Sequence, residues 1–143
     1  GAFKDAGEKV FYGVGLADGM KNLSLQRTTA DDRAIANVAT QIRSVVKRLK
    51  KDYESITAAG KDSTERENVD NAMKVLVNET ISGAKIIDHW EHPAKNVLYT
   101  LARYELKTLQ RQVESRKELS NESRDAIKKK AEQLHDEMTK EGL

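Results

Sequence analysis

Val10-Phe11-Tyr12-Gly13-Val14-Gly15-Leu16, closed by Asp18-Gly19, is short, rich in β-branched and aromatic residues, and reads as a strand ending in a turn. The period of two puts Val10, Tyr12, Val14 and Leu16 on one face and Phe11, Gly13 and Gly15 on the other. Glycines inside a strand signal a close backbone approach, so the second face is expected to lie under the helix that follows.

That helix is predicted to begin between Ser24 and Thr29, where Thr29 and Asp32 have capping-box spacing, and to run to about Ala59 before Gly60. Ile35, Val38, Ile42, Val45, Leu49 and Ile56 form a narrow apolar stripe, interrupted at Asp52. Ala34, Ala36 and Ala39 beside it favour close packing on a sheet. Further on, Thr64 and Glu67 suggest a second cap, and Val69, Met73, Leu76 and Val77 predict a shorter helix over 64–80, ended near Gly83. Ala84 to Trp90 and Val97 to Tyr104 are β-prone runs joined by Glu91-His92-Pro93-Ala94-Lys95-Asn96, the pattern of a hairpin with a longer loop. Leu106, Leu109 and Val113, then Ile127, Ala131, Leu134 and Met138, predict one or two terminal helices.

Strand, long helix, short helix, hairpin and terminal helices make an α+β domain, a three-stranded sheet with its helices on one side. Residues 1–8 read as a tail, a cloning remnant or the linker to a lipid anchor; 9–106 as the core; 107–143 as a helical extension of the same domain. The extension carries 9 basic and 8 acidic side chains, interleaved, as suits exposed helices with i,i+4 pairs.

Composition narrows the function. Among 143 residues, 25 Lys plus Arg oppose 23 Asp plus Glu, a net charge of +2. Neither half of the chain is strongly basic, which argues against nucleic acid or acidic lipid as partner. Without cysteine there is no disulfide framework and no thiolate metal site. No apolar run approaches the ~18 residues that cross a bilayer.

Four constellations could carry chemistry. Gly13-Val14-Gly15-Leu16-Ala17-Asp18-Gly19 stands where a dinucleotide loop would, but Asp18 takes the place of the third glycine and would repel a pyrophosphate. His89, Glu91 and His92 are metal-ligand types, with His89 and Glu91 on one strand face and His92 in the turn. The expected account is a solvated hairpin end with Trp90 covering the core edge, and no metal. Arg43, Lys47, Lys50 and Lys51 share a helix face as a local anion strip, whose default reading is a solvated surface. No serine lies in a G-x-S-x-G context, and His135 is placed on an exposed terminal helix without an Asp partner.

Gly13-Val14-Gly15, the run Ala30-Asp31-Asp32-Arg33-Ala34-Ile35-Ala36-Asn37-Val38-Ala39, and Ile81-Ser82-Gly83-Ala84-Lys85-Ile86-Ile87-Asp88-His89-Trp90 followed by Val97-Leu98-Tyr99-Thr100-Leu101-Ala102-Arg103 resemble the twenty-kilodalton bacterial lipoprotein family. That family includes flagellar basal-disk lipoproteins and resembles the N-terminal module of a flagellar ring protein. The match covers about residues 9 to 110. It implies an exported protein held at the outer membrane facing the periplasm, usually through a lipidated cysteine; this chain shows neither that cysteine nor a leader. It also implies a non-enzymatic assembly or interaction module, without cofactor, whose partners are other envelope proteins or further copies of itself. The surfaces expected to take part are the sheet face with Tyr12, Trp90 and Tyr99 and the stripe of Ile127, Leu134 and Met138. The alternative is a periplasmic domain binding a small molecule or metal through the sheet face and the His89–His92 turn.

Overall fold

The computed structural model describes residues 8–57, 63–92 and 94–140. In chain order the elements are β1 (Val10–Asp18), α1 (Leu23–Thr57), α2 (Ser63–Gly83), β2 (Lys85–His92), β3 (Val97–Glu105), α3 (Leu106–Glu114) and α4 (Asn121–Lys140). Gly60, the expected end of the long helix, lies outside the described residues, as do residues 1–7, Pro93 and the side chain of Ile56.

The sheet is antiparallel with order β1-β3-β2, so β3 is central and β1 and β2 are edges. β1 pairs with β3 in unbroken register from Val10↔Glu105 to Asp18↔Val97. β2 pairs with β3 from Lys85↔Arg103 to His92↔Val97, with a bulge between Ile86 and Asp88. β2 runs two residues beyond the predicted hairpin strand. His92 therefore ends a strand and does not sit in the turn. The turn closes through Asn96 at φ 48, a left-handed conformation that asparagine tolerates.

Alternation in β1 and β3 tells which face is covered. Phe11, Gly13, Gly15 and Ala17 of β1 and Leu98, Thr100, Ala102 and Tyr104 of β3 are buried beneath α1 and the helices behind it. A Cβ on Gly13 would stand 2.5 Å from the Ala34 carbonyl oxygen, and one on Gly15 would overlap the backbone of Ala30 and Ala34. The Gly13-to-Gly19 segment is thus a strand pressed against a helix. Ala30 and Ala34 make that approach, whereas Ala36 is exposed.

α1 starts earlier than the Thr29–Asp32 spacing suggests. Asn22 is the cap: its Oδ1 accepts the Leu25 N–H at 3.0 Å, and its carbonyl accepts the Gln26 N–H at 3.0 Å. With those orphan donors satisfied, Thr29 and Asp32 are interior helix positions. Ser120 caps α4 through the Ser123 N–H at 3.1 Å, and the Ser123 hydroxyl reaches Glu65 on α2 at 2.7 Å.

Val38, Ile42, Val45 and Leu49 of α1, Val69, Met73 and Leu76 of α2, and Leu109, Val113, Ile127 and Leu134 of α3 and α4 form one core with Phe11 and Tyr104. Three sequence expectations change as a result. Ile127 and Leu134 are only 2% and 1% exposed, and Met138 packs against the same core, so the α4 stripe is spent inside the domain and offers no open surface. His135 is likewise buried rather than exposed. Its Nε2 lies 2.8 Å from the Val10 carbonyl oxygen, its ring meets Phe11 edge-on at 5.1 Å, and Asp136 stands 3.4 Å from Nδ1. Glu8, assigned to the tail, pairs with Arg103 and Lys107, and Lys9 joins β1 to Glu132 and Asp136 of α4.

Candidate functional site

The helices gather on one face of the sheet, and among the described residues none covers the other face. On it stand Tyr12, Val14 and Leu16 of β1, Tyr99 and Leu101 of β3, and Trp90 of β2. Val14, Leu16 and Trp90 are 47%, 43% and 43% exposed, high for large apolar side chains. Trp90 lies flat on its cross-strand neighbour Tyr99, with ring centroids 5.3 Å apart and planes 3° from parallel. The Trp90 ring thus belongs to the open face and does not cover the core edge as expected. At the far end the patch gives way to charge. Glu105 and Glu8 hold the Arg103 guanidinium firmly protonated, and Lys107 pairs with both carboxylates.

The two sheet edges are treated differently. Along the free side of β1, Gln41 Nε2 donates to the Tyr12 carbonyl at 2.5 Å, Asn37 Oδ1 accepts the Val14 N–H at 3.3 Å, and Arg33 donates to the Leu16 carbonyl at 2.8 Å. His135 closes the series at Val10. Two strand residues advance about 6.6 Å and four helix residues about 6 Å, so an i,i+4,i+8 row on α1 keeps pace with alternate residues of β1. The row and His135 occupy four outward main-chain groups of an edge that would otherwise accept another strand. Along β2 the described side chains make no such row. Among the described residues its edge bond is local, from the His89 N–H to the Asp88 carboxylate at 2.9 Å.

His89 is not a solvated turn residue. Its Nε2 lies 2.6 Å from Asp31 of α1, which also accepts the Thr100 hydroxyl at 2.9 Å. Nδ1 faces the Arg27 guanidinium at 3.4 Å. Asp31 therefore ties α1 to β2 and β3 together. With one ring nitrogen on a carboxylate and the other against a cation, His89 presents no lone pair to a metal. Glu91 shares its face but is exposed, and His92 projects to the opposite face, its Nδ1 accepting the Ala94 N–H at 3.4 Å. Among the described residues no three His, Asp or Glu side chains converge on a metal-sized site.

The anion strip is partly neutralised. Lys50 pairs with Asp70 at 3.3 Å and the neighbouring Arg48 with Glu137 at 3.1 Å, while Arg43, Lys47 and Lys51 remain exposed on α1. Sequence reasoning placed Tyr12, Trp90 and Tyr99 on one face but did not single out Val14, Leu16 and Leu101, which the same alternation sets among them. Asp31, Arg27 and the row Arg33, Asn37 and Gln41 were also missed. For the row, its i,i+4 spacing opposite a glycine-bearing strand was the available signal.

Fold and site together define an α+β domain with a one-sided helical layer and an open aromatic-aliphatic sheet face. Comparison with protein-family models and with curated proteins finds no match to this chain. No described helix is long and apolar enough to cross a membrane.

Proposed function

We propose that this chain works by binding rather than by catalysis, as an assembly or interaction module of the bacterial envelope akin to the twenty-kilodalton lipoproteins, on the periplasmic side of the outer membrane. The observation that supports binding is the bare sheet face, where Tyr12, Val14, Leu16, Tyr99, Leu101 and Trp90 form a contiguous apolar surface. Exposed patches of this kind mark interaction sites on soluble domains. Its partners are envelope proteins or further copies of the chain. The envelope assignment rests on the resemblance of residues 9 to 110.

Val14→Asp with Leu16→Asp tests the face, because both side chains point to solvent and carry no core contact. The double variant should keep the circular dichroism and urea midpoint of the native chain while losing association with its envelope partners in cross-linked cells. Unchanged cross-linking would refute the face as the binding surface. A small-molecule role is favoured by one feature, a cleft of about 640 Å³ lined by Leu23, Arg27, His89, Trp90 and Leu98 among others. It predicts a thermal shift with an aromatic carboxylate, abolished by Arg27→Ala.

A further inference from the structure

The contrast between the two sheet edges carries an inference that does not use the apolar face. An antiparallel edge strand exposes main-chain N–H and C=O groups at every second residue. On β1 the Val10, Tyr12 and Leu16 carbonyls and the Val14 N–H are taken by His135, Gln41, Arg33 and Asn37. The register with β3 sets the N–H and C=O groups of His89 and Glu91 on the free side of β2, where the Asp88 carboxylate holds the His89 N–H at 2.9 Å and must release it for a strand to pair. The bulge is confined to the start of the strand, so Asp88–His92 is regular and in register with β3.

We propose that the β2 edge pairs antiparallel with the β2 edge of a second copy of this chain, on a two-fold axis through Trp90, to give a continuous six-stranded sheet. The occupant follows from charge. Side chains opposite each other in antiparallel strands share a face, which restricts the register to those keeping inward residues opposite inward ones. Centring on His89 would face His89 with itself, and centring on Asp88 would face two carboxylates. Centring on Trp90 sets Asp88 against the second copy's His92 on the outer face, and His89 against its Glu91 on the inner face. Each Asp88 and Glu91 carboxylate then meets an imidazole rather than another carboxylate. Glu91 of the second copy also meets Arg27, 3.4 Å from His89 Nδ1, in the groove that runs beside β2 with Asp31, Ile86 and Ile87. In this register His89 and Glu91 form two hydrogen-bonded pairs, one on each side of the axis, and Trp90 faces its own copy in a non-hydrogen-bonded pair. Dimerisation extends the aromatic patch across the axis.

The absence of cysteine makes the register directly readable. Cα atoms of a non-hydrogen-bonded pair lie about 4.5 Å apart, within disulfide reach. Trp90→Cys should therefore oxidise to a covalent dimer at micromolar protein, while Leu16→Cys on the open face of β1 should not. Sedimentation equilibrium of the native chain should show a dimer that Glu91→Lys and Arg27→Glu each weaken about tenfold or more, and that the Arg27→Glu, Glu91→Lys double variant restores. Arg27 and Glu91 are exposed, so circular dichroism should not change in any of them. A native chain monomeric to millimolar concentration would overturn the proposal. So would cross-linking by Leu16→Cys in place of Trp90→Cys, which would assign association to the sheet face, or failure of the double variant to recover.

Discussion

Replacing Gly15 with alanine adds one methyl group and should cost more than deleting several from the surface. The added Cβ would penetrate the van der Waals shells of the Ala30 carbonyl and the Ala34 nitrogen, and stand 2.8 Å from the Arg33 carbonyl carbon. Carbon contacts settle near 3.5 Å or more. All of these atoms are helix backbone, so no rotamer change relieves the overlap. α1 must lift by about an ångström, loosening Ala30, Ala34 and Val38, which are fully buried against the sheet. Overpacking of this kind costs roughly 1–3 kcal/mol where side chains can yield, and backbone contacts place Gly15→Ala at about 3 kcal/mol. A domain of this size is stable by about 5–15 kcal/mol, so the loss is a large share. With a urea slope of about 2 kcal/mol/M, the unfolding midpoint should fall by about 1.5 M. Gly19→Ala is the internal control: it meets nothing within 4 Å and pays only for its φ of +65, about 1 kcal/mol. Equal midpoints for Gly15→Ala and the native chain, at unchanged slope, would refute the close approach of β1 and α1.

Leu134→Ala should lower stability by about 2–5 kcal/mol in urea titration, as a core truncation does, with no specific loss of association among the folded molecules. Ser120→Ala should cost about 1 kcal/mol by removing the α4 cap and the link to Glu65, seen as a lower urea midpoint. Lys9 holds the Asp136 carboxyl below the usual carboxylate range. A depressed pKa adds stability above the unfolded value and loses it as pH falls through the folded one, so the deficit of Lys9→Met at pH 7 should shrink progressively below about pH 4. Replacing Arg33, Asn37 and Gln41 together by alanine should strip the β1 edge and promote aggregation on concentration relative to the native chain, measured by light scattering.

Much of the architecture was legible because it depends on short-range periodicity. Alternation around Gly13 and Gly15 foretold both the strand and the helix lying on it, and the three-four spacing from Val38 to Leu49 foretold the face that is buried. Boundaries were less legible. The cap of α1 is Asn22, and Asn22, Ser24, Thr28 and Thr29 are all cap-forming types, so the choice among them falls to the backbone path leading into the helix. The outer face was legible in part: Tyr12, Trp90 and Tyr99 share it as expected, but the Trp90–Tyr99 stack depends on the β2–β3 register.

By itself the sequence determined which elements form and which sides of them are apolar, since both follow from side-chain size, branching and local spacing. Only the tertiary structure decided what each apolar side meets. The stripe of Ile127, Leu134 and Met138 is identical as a pattern whether it faces a partner or its own core, and α1 and α3 take it inside. His135 carries no local mark of burial, yet its contact with Val10 spans 125 positions of chain. Asp31, His89 and Thr100 meet for the same reason, across 58 and 69 positions. The blocked β1 edge and the open β2 edge differ through helix placement rather than strand composition. Such pairings are set by the path of the whole chain, to which a window of ten or twenty residues is blind.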